Sequence, residues 1–91
     1  MTYYFDIKNL DADTQGALIT AVQAERIPTD EAIARAHSWL NKAEFMALME
    51  WWKTYDYQPI ICAKMDADYD NLIVAIEKDC FATVITTFEI K

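Results

Sequence analysis

One glycine and two prolines in 91 residues leave this chain few places to turn. Those two residue types punctuate regular structure, so a chain this poor in them must put most of its length into helices and strands joined by short connections. An apolar share of 54% and a charged share of 25% are those of a folded chain rather than a disordered one. A length of 91 residues implies one domain, 1–91, with a real core and little reserve. The usual per-residue stability then amounts to about 5–14 kcal/mol.

Period and cap chemistry divide the chain into seven elements. Tyr3, Phe5 and Ile7 alternate with Tyr4, Asp6 and Lys8, a period of two in β-favouring residues, which predicts a strand over 2–8. Asp11 or Asp13 can cap a helix over 12–26, with Leu18, Ala21 and Val22 on one stripe, and Pro28 closes it. Thr29 or Asp30 opens a second helix, with Ile33, Ala36, His37 and Leu40 on its inner face. Asn41 followed by Glu44 has the spacing of a capping box and starts a third helix over 42–55. Phe45, Leu48, Met49 and Trp52 form the apolar stripe of that helix.

Beyond Pro59 the β-branched residues take over, and three antiparallel strands are expected near 60–65, 71–77 and 80–90. The fold class is therefore α+β in the order β-α-α-α-β-β-β, with three helices packed on an antiparallel sheet. An alternative keeps residues 68–79 helical, because Tyr69, Leu72, Ile73 and Ile76 also fit a helical stripe.

The net charge of −7 is spread along the chain. Residues 1–29 hold four acids and two bases, 30–58 five and three, and 59–91 six and three. Such a surface repels phosphate backbones, so direct nucleic-acid binding is not expected; a partner protein with a basic surface is the natural match. No uninterrupted apolar run exceeds five residues, which excludes a membrane-spanning helix. The opening Met-Thr-Tyr-Tyr-Phe-Asp carries no basic leader or signal-like segment, so a cytoplasmic location is expected. Cys62 and Cys80 lack paired spacing and read as small buried hydrophobes rather than a disulfide. With His37 the single imidazole, a zinc site is not expected.

The acidic run Asp66-Ala67-Asp68-Tyr69-Asp70-Asn71 offers the most specific chemistry. Asp66, Asp68, Asp70 and Glu77 stand at positions 1, 3, 5 and 12 of a window that resembles an EF-hand calcium loop. The resemblance implies calcium ligation by those four carboxylates. Against it, Asn71 stands where the loop needs Gly, Val74 replaces a polar residue, and the flanks are not helical. The other reading is a solvated acidic turn that binds no metal.

Trp51 lies about 100° round the third helix from Trp52, on a face with Glu44 and Tyr55. Exposed tryptophan beside tyrosine is hot-spot material, so Trp51, Tyr55 and Glu44 are the candidate partner-binding residues. His37 reads as a half-buried structural histidine, and Arg35 is spaced to stack on Trp39.

No nucleophile elbow, phosphate loop or metalloprotease helix occurs. The reading is a small acidic, non-enzymatic module of bacterial or phage type without cofactor. It would bind another protein, as an inhibitor, an immunity-type protein or a regulatory accessory protein; a homodimer through Trp51 and Tyr55 is a further reading. The element order is also similar to that of RelE/ParE-type toxins, a resemblance at the level of fold that implies ribonuclease activity. Those toxins rely on basic residues, which this acidic chain lacks.

Overall fold

The computed structural model describes residues 4–6, 11–66, 69–78 and 83–90, the first three by their backbone. Seven elements follow in the expected order: β1 Tyr4–Asp6, α1 Ala12–Glu25, α2 Thr29–Trp39, α3 Lys42–Thr54, β2 Ile60–Met65, β3 Asn71–Glu77 and β4 Thr83–Glu89. The predicted boundaries at residues 2–3, 7–8 and 80–82 lie outside the described residues. Residues 71–77 are strand, which corrects the helical alternative for 68–79.

The caps form as the side chains dictate. Asp11 ends the approach to α1 by accepting from the Thr14 amide at 3.1 Å and from its hydroxyl at 2.6 Å. At α3 the Asn41 side chain accepts from the Glu44 amide at 2.9 Å, and Glu44 accepts from the Asn41 amide at 2.8 Å. The capping box read from the sequence is therefore present. Between α1 and α2 the Ile27 amide donates to the Ile61 carbonyl at 2.6 Å, tying the helix joint to the sheet.

The strands form one antiparallel sheet in the order β1-β4-β3-β2. Its two faces carry separate cores, and the helices divide between them. On one face Ile60, Ala63, Leu72, Val74, Ile76 and Phe88 meet Ala32, Ala36, Leu40, Leu48 and Trp51 of α2 and α3. On the other, Ile61, Cys62, Ile73, Ala75 and Ile85 meet Val22 of α1, flanked by Leu18 and Ile19. A bulge between Ile60 and Cys62 in β2 lets Ile61 and Cys62 both serve the α1 face. Strand β3 is covered on both sides, so Leu72–Ile76 is continuously apolar and continuously buried. This explains why its periodicity fitted helix and strand alike.

Two faces sit differently from expectation. On α2 the buried positions are Ala32, Ala36 and Leu40; His37 is exposed, its ring edge-on to Phe45 at 5.0 Å. On α3 the buried line runs through Glu44, Leu48 and Trp51, with Phe45, Trp52 and Tyr55 packed half-buried beside it. Trp51 is 7% exposed and meets Phe88 edge-on at 5.8 Å, so it is core. The stripe misled because Glu44, charged and hence assigned outward, is turned inward by its capping bond. Counting it as polar rotated the inferred face by about one residue, or roughly 100°.

Candidate functional site

The predicted partner-binding trio does not make an exposed patch. Glu44 is fully buried in its capping box, and Trp51 is in the core. Tyr55 is half-buried with its ring 5.4 Å from that of Trp51. Trp51 and Tyr55 do line a groove of about 360 Å³ between α3 and β4, rimmed by Glu50 and Thr54. Their rings are spent on the protein's own packing.

The four carboxylates of the calcium reading do not converge either. Asp66 follows β2 and closes a turn: its Oδ1 accepts from the Asp70 amide at 2.9 Å and the Asn71 amide at 3.3 Å. Its Oδ2 accepts from Asn71 Nδ2 at 2.8 Å. Glu77 stands at the far end of β3, about 20 Å of extended chain away. There it pairs with Arg26 at 2.7 Å. Asp68 lies outside the described residues, and Asp70 is exposed. A loop that must fold back on one cation is instead a turn followed by a straight strand, so Asp66 and Glu77 cannot share a ligand sphere. The turn leaves Asp66 fixed as an anion. Partial burial pushes its carboxyl pKa up, but the hydrogen bonds from Asn71, Asp70 and Tyr69 outweigh this and hold it below the ordinary 3.8.

A polar cluster joins α1, α2 and β2 beneath the α1 core. Arg35 donates to Glu25, to Glu31 at 3.1 Å and to the Ala63 carbonyl at 3.3 Å, so it is directed at acids and backbone rather than at Trp39. The Cys62 thiol donates to Glu25 Oε2 at 3.2 Å. Burial, with that carboxylate bond adding, pushes the thiol up to about 12. A thiol held protonated is a poor nucleophile, and Cys62 is structural here. Cys80 lies outside the described residues.

Among the described residues the exposed aromatics are Trp39, Tyr57 and Tyr69, none of them in the predicted partner-binding trio. Trp39 ends α2 at 39% exposure, and Tyr69 stands at the β2–β3 turn at 74%. With Met65 and Asp66 they line an open cleft of about 390 Å³. The geometry places two aromatic rings, a thioether and a fixed carboxylate around one space. Such a set can hold a cationic or amphipathic side chain. Tyr69 also takes a left-handed backbone, φ 58°, which the tight turn requires and a bulky residue disfavours. Its ring recovers little of that cost by burial. A signal was available in the sequence: Trp39 falls off the α2 stripe at the helix end, and Tyr69 is an aromatic residue set among acids.

Among the described residues, no three or more His, Cys, Asp or Glu side chains gather to hold a metal ion, and no helix is long and apolar enough to cross a membrane. Comparisons with protein-family models, curated proteins and solved structures find no match to this chain.

Proposed function

We propose that the protein is a small acidic binding module that engages the basic surface of another protein through the cleft between the end of α2 and the β2–β3 turn. The observation that carries this reading is the pair Trp39 and Tyr69, left exposed around one cleft while Trp51 is consumed by the core. Exposed tryptophan and tyrosine supply contact area at low entropic cost. A net charge of −7 supplies attraction toward a basic partner and repulsion toward nucleic acid and toward a second copy of the chain. No catalytic step is assigned to it. Covering a basic site on its partner is the action of an inhibitor, an immunity-type protein or a regulatory accessory protein, and this acidic, aromatic surface suits that action.

The test uses wild-type protein, Trp39→Ala and Tyr69→Ala immobilised side by side in native lysate, with retained proteins quantified by mass spectrometry. The expected result is a basic protein held by wild type and lost from both variants at unchanged melting temperature. When purified, it should bind wild type with an affinity that falls steeply as salt rises. Equal retention by all three proteins would overturn the assignment of the cleft.

A further inference from the structure

The cleft has a chemistry more specific than an acidic surface in general, and resting on the binding reading above, we infer that it seats an arginine side chain of the partner. Its walls are the Trp39 and Tyr69 rings and the Met65 thioether, and Asp66 supplies the carboxylate. A carboxylate offers about four acceptor sites. Among the described residues, the Asp66 carboxylate accepts on Oδ1 from the Asp70 and Asn71 amides and on Oδ2 from the Asn71 side chain. The turn thus holds an anion in place in a cleft that two aromatic residues also line.

That combination discriminates between the two basic side chains. An ammonium group is a compact, strongly hydrated point charge with no plane to lay against the rings, and it gives up more hydration on approaching them. A guanidinium stacks its plane on aromatic faces, is more weakly hydrated, and can direct an N–H at the Asp66 carboxylate. A cleft of about 390 Å³ that stays open to solvent has room for the planar head and its methylene stem. The hydrogen bonds within the turn fix the anion in advance, so no rearrangement is needed on binding.

The probes are hexa-arginine and hexa-lysine peptides, titrated at one ionic strength against the full chain. Affinity is read by calorimetry, and the Trp39 indole N–H by NMR. Hexa-arginine should bind several-fold tighter than hexa-lysine and shift the Trp39 indole signal. Trp39→Ala and Tyr69→Ala should each weaken hexa-arginine about two- to fivefold, in keeping with a surface cation–π contact. Glu50→Gln removes one charge from a different groove and should change the affinity for both peptides equally and slightly. Asp66→Asn should weaken hexa-arginine too; because Asp66 also builds the turn, Tyr69→Ala is the deciding variant. Equal affinity for the two peptides, or indifference to Trp39→Ala and Tyr69→Ala, would overturn the inference. If such indifference accompanies a partner that is still lost from both cleft variants, the binding reading stands and only the arginine assignment falls. If neither peptide nor partner depends on the cleft, both fall.

Discussion

Adjacent tryptophans on α3 divide the labour of that helix. Trp51 lies in the core against Phe88, whereas Trp52 is half-buried, with its ring edge-on to Tyr57 and its indole N–H donating to the Gln58 carbonyl. Trp51→Ala should cost about 3–5 kcal/mol of stability. Trp52→Ala should cost less, roughly 2 kcal/mol, since half the burial and one hydrogen bond are at stake. Paired urea melts check the order. Tyr69 makes the opposite exchange: its left-handed backbone burdens the fold while its ring stays exposed. Tyr69→Gly should therefore raise the unfolding free energy by up to about 1 kcal/mol while weakening the partner complex. A loss in both would show that the ring packs in the free protein. For Cys62 the sign runs toward alkali. Its folded pKa of about 12 lies above the ordinary 9.0, so its contribution is whole below pH 9.0 and is lost as pH rises toward 12. The native thiol should resist disulfide reagents at pH 8, and Cys62→Ala should remove part of the alkaline fall in stability.

Of the three helices, α1 buries the fewest residues. It buries Val22 fully and Leu18 and Ile19 in part, while its C-terminal end is joined to neighbours by charge. Arg26 pairs with Glu77 at 2.7 Å, and Glu25 is shared by Arg35, the Cys62 thiol and Lys64, the last at 4.0 Å. Partly exposed pairs of this kind contribute little singly and are screened by salt. Amides of α1 should exchange faster than those of β3, and molar salt should widen the gap. Gly16→Ala should narrow it by about 1 kcal/mol, because an added Cβ there meets nothing within 4 Å and the helix gains propensity. The elements themselves were legible in the sequence because caps and breaks are local: Asp11, Pro28, Asn41 with Glu44, and Pro59 each act on their own neighbours. Which side of an element meets the sheet is not local. The face of α3 was misplaced by a buried Glu44, and the division of helices between two faces depends on a sheet order that no short window encodes. The cleft was hidden for the same reason, since Trp39 and Tyr69 are brought together by the packing of α2 against β2.

At the scale of the molecule, strand β3 is the keystone: it pairs on both edges and is covered on both faces. Its Leu72-Ile73-Val74-Ala75-Ile76 run is safe only while that cover is in place. In a chain still leaving the ribosome, or one refolding from denaturant, the same five residues are a bare β-forming segment with every attribute of a self-associating one. Asp66, Asp68 and Asp70 stand immediately ahead of it, and Glu77, Lys78 and Asp79 immediately behind. The two charged flanks should therefore act before there is a fold at all, as gateposts whose repulsion keeps neighbouring chains from zipping together. Neutralising Asp66, Asp68 and Asp70 to Asn should lower the refolding yield at micromolar concentration, as light scattering would record. The melting temperature of the molecules that do refold should fall much less. Asp66, which lines the cleft in the finished protein, should serve in the unfinished one to ensure that it gets that far.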